Sequence, residues 1–171
     1  MKTVPKLVFL VTVTITSRPS FGQDTEGPKC LTVPFELLAT NHMVVNVSVN
    51  DGEPRRFIFD LGAPVTLMGS KAAETAKVID GKVPRMMLFG ARGDSKIKSF
   101  KVGDTEVRDM PVLVMDHPAL AALAGVLGKP IDGLIGYTFF ARYKTTIDYQ
   151  KRILTLEPVA FEVKDLFQTL P

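Results

Sequence analysis

The chain has 171 residues, enough for one domain with a real core, and 13 Gly and 12 Pro break it too often for long helices. Its formal charge of +3 comes entirely from residues 1–22, where Lys2, Lys6 and Arg18 meet no acid; 18 bases and 18 acids remain beyond them. That neutral remainder excludes an electrostatic case for binding nucleic acid or an anionic membrane. In chain order, the first element is a targeting segment. A basic start at Lys2 and Lys6 leads into an apolar stretch from Leu7 to Ile15, and Ser20-Phe21-Gly22 forms a small-x-small cleavage site. The segment predicts export to a secreted or periplasmic location after cleavage near Gly22. Its apolar run is too short and too rich in threonine for a membrane span, so no stable span remains after cleavage. Residues 23–39 form an N-terminal segment with no assigned element. Cys30 is the only cysteine, which rules out an internal disulfide.

From residue 40 the pattern is that of short strands. "HMVVNVSVN" alternates with period two and runs into Asn50-Asp51-Gly52, and Arg56 to Asp60 returns, which predicts a hairpin over 42–60. Val65 to Met68 is a further strand, and Ser70 is placed as the cap of a short helix ending near Lys77. Val83–Leu88 and Lys96–Val102 flank the glycine-bearing turn "FGARGDS" as a second hairpin. "VGDTEV" and "MPVLVM" give two more strands around a Gly-Asp turn. Pro118 opens a short alanine-rich helix that Gly125 and Gly128 help to end. "KTTIDYQKRILTLE" is a closing hairpin, and residues 159–171 are a tail without pattern. The fold class is all-β with one or two short helices.

Few side chains suggest chemistry. His42 and His117 are far apart with no ligand spacing, so neither a metal site nor a histidine triad is predicted, and no cofactor motif is present. Arg92-Gly93-Asp94 reads as a polar hairpin tip, and Asn46-Val47-Ser48 as part of a strand. The exception is "FIFDLGAPVTLM", Phe57 to Met68. A carboxylate at the end of a buried strand costs desolvation unless something pairs or uses it. Gly62 beside it permits close approach by another chain or a substrate. On these residues alone, Asp60 either bonds the amides of its own turn or does chemistry.

That stretch resembles the active-site loop of the retropepsin-like aspartic proteases: an apolar strand, Asp-Thr/Ser-Gly-Ala, then a second apolar strand. "IDGLIGYTFFARYKTTIDYQKRILTL", Ile131 to Leu156, is similar to the C-terminal part of the same family, and "LFGARGDSKI" lies between the two where the family carries its flap. The resemblance implies one closed β-barrel lobe over residues 40–158. It makes Asp60 the catalytic residue, with Leu61, Gly62 and Ala63 as the rest of its loop. Gly90, Ala91, Arg92 and Gly93 would form the flap, and Leu134, Ile135 and Gly136 would support the loop from behind. The family works with two aspartates that share a proton and activate one water. This chain offers one such loop, so the resemblance implies a homodimer acting on a polypeptide. Asp132-Gly133 falls on the family's structural segment, and Asp148 on a hairpin. One residue departs from the pattern: Leu61 stands where the family has Thr or Ser, and it has no group to hydrogen-bond across a dimer axis. A non-catalytic module that binds peptide or protein in the flap cleft is the alternative reading.

Overall fold

The structure is a computed structural model that describes residues 30–80 and 93–160. The proposed targeting segment, the first half of the predicted flap hairpin and the C-terminal tail beyond residue 160 lie outside the described residues. Two sheets contain β1 (Leu31–Pro34), β2 (Glu36–Leu37), β3 (Met43–Val49), β4 (Arg55–Phe59), β5 (Thr66–Met68), β6 (Gly93–Val102), β7 (Thr105–Val114), β8 (Gly133–Ile135), β9 (Tyr143–Asp148) and β10 (Ile153–Pro158). Among the described residues, three short helices, α1 (Ser70–Thr75), α2 (Pro118–Leu127) and α3 (Tyr137–Phe140), lie between strands along the chain.

The larger sheet runs β2-β3-β4-β8-β5-β7-β6, and β6 pairs back onto β3, so six strands close into a barrel. The smaller sheet, β1-β10-β9, docks beside it. Closure follows from the strand pattern. Met43, Val45, Val47 and Val49 alternate along β3 and point inward, where they meet Phe57, Phe59, Phe100 and Phe139. The rings of Phe57 and Phe100 pack edge to face at 5.6 Å between centroids, and Phe100 meets Phe139 at 5.8 Å.

Why Phe57-Ile58-Phe59 and Thr66-Leu67-Met68 are buried without a break is explained by a second apolar layer. Val44, Ile58 and Leu67 face out of the barrel but are covered by Leu120 of α2, together with Leu38, Met115 and Ile131. Strands buried on both faces lose the alternation of a half-exposed sheet.

The central feature is β8. It runs parallel to β4 and antiparallel to β5, lying between them. The approach is so close that a Cβ on Gly133 would lie 2.3 Å from the Leu67 carbonyl oxygen and 2.5 Å from the Phe57 ring. A Cβ on Gly136 would lie 2.3 Å from the Val65 carbonyl oxygen. Both positions are closed to any other residue.

Several sequence expectations need adjusting. Ser70 is the first residue of α1 and does not cap it; Gly69 is the N-cap, and the buried Ser70 hydroxyl has no hydrogen-bond partner among the described residues. "MPVLVM" is not a separate strand, because β7 runs unbroken from Thr105 and pairs with β6 in one register. Gly125 lies inside α2, which ends at Gly128 in the left-handed conformation. Residues before 40 carry β1 and β2, and Val33, Phe35 and Leu38 are buried.

Gly133→Ala should therefore destabilise the protein by about 3 kcal/mol or more through overpacking. Gly125→Ala, which meets no atom within 4 Å, should stabilise it by up to about 1 kcal/mol. Thermal unfolding of both variants checks this; equal melting temperatures would mean that the β8 approach is looser than described.

Candidate active site

Asp60 sits where β4 ends and the chain turns. Its N–H donates to the Ile135 carbonyl at 3.0 Å, which ties the loop to β8 from behind. Its Oδ1 accepts from the Gly62 N–H at 2.9 Å, closing a small turn, and its carbonyl accepts from the Ala63 N–H at 3.4 Å. Oδ2 has no hydrogen bond among the described residues, and the carboxyl is only partly buried. Leu61 projects from the tip of the turn and is 60% exposed. Gly62 is exposed with it, while Ala63 is partly buried and its carbonyl accepts from the Tyr137 N–H at 2.8 Å.

The predicted support residues surround this turn. Ile135 is fully buried and supplies the carbonyl that holds Asp60. Leu134 pairs with Ile58 on one side and Leu67 on the other, and Gly136 lets the loop backbone pass against it. Of the predicted flap residues, Gly90, Ala91 and Arg92 lie outside the described residues, whereas Gly93 opens β6 opposite Val114.

Sequence reasoning missed a buried pair of threonines. The Thr66 N–H donates to Thr138 Oγ1 at 3.0 Å, the Thr138 hydroxyl donates to Thr66 Oγ1 at 2.8 Å, and the Gly136 N–H also donates to Thr66 Oγ1 at 3.2 Å. Both side chains are almost completely buried. The signal was present: a lone hydroxyl inside the apolar run "PVTLM" must find a partner or cost free energy.

The other acids lie elsewhere. Asp132 accepts from the Arg56 N–H through Oδ2 at 3.1 Å and pairs with Arg55, at the opposite end of β8 from the turn. Asp148 accepts from the Lys151 N–H at 2.9 Å within the β9–β10 turn, and that bond holds its carboxyl below the usual range. His42 is exposed and bonded to Thr40, and His117 accepts from the Ala119 N–H at the start of α2. Phe139 and Phe140 are core residues.

Beside the turn lies a cavity of about 920 Å³, bounded by Leu61 to Val65 on one side and by the facing parts of β6 and β7 on the other. Tyr137, Thr138 and Arg142 form its end. Burial lowers the Arg142 guanidinium from its ordinary value, and the group folds back to donate to the Thr138 carbonyl of α3. The size is in the range of ligand-binding clefts.

Comparison with known proteins agrees with this geometry. A family model described as aspartyl protease matches residues 45–139. The solved structure of a retropepsin-like aspartic protease from Rickettsia conorii is 19% identical, with a TM-score of 0.53, over 78% of this chain and 94% of that one. The retroviral protease-like domain of Ddi1 from Leishmania major is 13% identical, with a TM-score of 0.47, over 76% of this chain and 96% of that one. No curated protein sequence matches. The family match spans more than half of the chain and includes the Asp60 turn, β8 and the start of α3, so this protein belongs to the aspartyl protease family and has its retropepsin-like fold.

Proposed function

We propose that the protein is an aspartic endopeptidase that works as a homodimer, each subunit contributing Asp60. The observation that carries this reading is the Asp60 turn: one carboxylate held by backbone bonds at a barrel end, next to a large cleft, with an oxygen left over. One chain supplies one such turn, and the chemistry needs two. Two carboxylates brought to about 3 Å cannot both ionise cheaply, so the pair holds a single proton. The ionised Asp60 takes a proton from water as its oxygen attacks the peptide carbonyl carbon. The protonated Asp60 of the partner gives its proton to the carbonyl oxygen. The resulting diol collapses as one hydroxyl returns a proton to the partner's Asp60, the C–N bond breaks, and the leaving nitrogen takes the proton that the first Asp60 had accepted from water. Leu61, Gly62 and Ala63 shape the turn, Leu134, Ile135 and Gly136 brace it, and the resemblance of "LFGARGDSKI" assigns Gly90 to Gly93 to the flap. The substrate is a polypeptide, and the targeting segment assigns the enzyme to an exported compartment.

A second reading has its own observation. Leu61 is exposed and offers no hydrogen bond to an opposing turn. A module with this fold that binds peptide or protein in its cleft without cutting it would need no such bond.

Asp60→Asn should abolish cleavage of a peptide library while the protein still sediments at twice the mass of its mature chain. Activity should also disappear at alkaline pH, where the shared proton is lost. Full activity in Asp60→Asn, or activity in a strict monomer, would overturn the proposal. Intact mass of the protein from the secreted or envelope fraction should correspond to a chain beginning near Gln23; a mass that retains Met1 would rule out the assigned cleavage.

Leu61→Thr separates the two readings. Threonine would add one neutral hydrogen bond per subunit across the axis, worth about 0.5–1.5 kcal/mol. A bond fixes direction where apolar contact does not, and about 1 Å of misplacement can cost roughly a hundredfold in rate. Leu61→Thr should therefore raise kcat/KM by about tenfold or more, measured where both proteins are dimeric. An unchanged or lower value would mean that leucine is already fitted to a working site. No cleavage by either protein, with the dimer formed, leaves the binding module.

A further inference from the structure

A second cavity, of about 440 Å³, lies between α1 and α2, and none of the residues lining it line the cleft beside Asp60. Its position is set by the same three strands. Arg55 opens β4, Gly69 follows β5 and Asp132 precedes β8, so all three stand at the end of their strands away from the Asp60 turn. Five residues of strand separate Arg55 from Asp60, or about 16 Å. Leu120, Ala121, Ala124 and Ile131 make an apolar floor.

The charged groups on the wall are unequally satisfied. Asp132 already accepts from the Arg56 N–H, and Asp116 Oδ1 accepts from the Ser70 N–H at 2.9 Å. His117 Nδ1 is taken by the Ala119 N–H. Arg55 is matched only in part, by its ion pair with Asp132. Arg55 has a side chain only 14% exposed, its Nε is buried without a partner, and its nearest acid, Asp132 Oδ1, is 3.7 Å away, beyond a hydrogen bond. Lys71, also on the cavity wall, makes no ion pair among the described residues. A buried guanidinium with unused donors costs free energy until an acceptor arrives.

We propose that this cavity is a second binding site, separate from the Asp60 cleft, that takes a small carboxylate on a short apolar tail. The carboxylate lies between Arg55 and Lys71, and the tail rests on Leu120, Ala124 and Ile131. The same chemistry is offered by a free aliphatic acid and by the carboxyl end of a peptide, and the two are told apart by titrating hexanoate and N-acetyl-leucine in parallel.

The experiment follows the methyl resonances of Leu120 and Ile131 in the full chain, with hexanamide as the uncharged control. Hexanoate or N-acetyl-leucine should give saturable shifts, the tighter of the two naming the source, and hexanamide should bind about tenfold more weakly or worse. Lys71→Ala, at an exposed position that leaves the fold intact, should weaken the acid about fivefold. Arg55→Gln should weaken it about tenfold or more. Asp60→Asn should leave this binding unchanged, which separates it from the protease reading. Equal affinity for acid and amide, unchanged affinity in both Lys71→Ala and Lys71→Glu, or no saturable shift with either acid would overturn the proposal, whether or not Arg55→Gln folds.

Discussion

The backbone of β8 passes between β4 and β5 at a distance that leaves no room for a side chain at Gly133 or Gly136. Much else in the molecule follows from that approach. It brings the Ile135 carbonyl within reach of the Asp60 N–H, and the Ala63 carbonyl within reach of the Tyr137 N–H. The turn carrying the carboxylate is thus stitched to β8 and α3 by main-chain bonds. Such bonds depend on the course of the backbone and not on which side chain stands at the tip.

Two layers hold the three strands in place. Inside the barrel, the Phe57 ring lies against Gly133 and packs on Phe100, with Phe139 beyond Phe100. Outside it, α2 lies over Ile58 and Leu67 through Leu120. The Thr66–Thr138 pair is a polar element placed directly between β5 and α3, and each hydroxyl there has a partner. A fully bonded pair in a dry core contributes direction as well as energy, because neither group can move without stranding the other. Dry packing sets the distance, and the threonines set the angle.

This division explains what the sequence disclosed. Period-two alternation in "HMVVNVSVN" and the turn at Asn50-Asp51-Gly52 are local signals, and β3 and β4 lie where they place them. The Asp60 turn and the Leu134-Ile135-Gly136 segment were legible through the resemblance of two blocks in the right order. The rest depended on contacts distant in the chain. β1 is a strand because β10 pairs with it more than a hundred residues later, and nothing within "LTVP" says so. Ser70 has the chemistry of a cap, yet Gly69 takes that place because its N–H bonds the Asp132 carbonyl of the distant β8 entry. The pairing of Thr66 with Thr138 spans 72 residues, so periodicity could show a misplaced hydroxyl but not its partner.

The same division bears on Leu61. Among the described residues, the hydrogen bonds that fix Asp60 come from the Gly62, Ala63 and Ile135 main chain, and the side chain at residue 61 takes part in none of them. Exchanging a hydroxyl residue for leucine therefore leaves the carboxylate aimed as the barrel aims it. What changes is the face that the turn presents outward. A hydroxyl there would demand one particular bond across an axis; a projecting leucine demands only cover. The departure at residue 61 is thus a change in the face the turn presents and not in how the turn is built, and under the proposed dimer its effect falls where the two turns would meet.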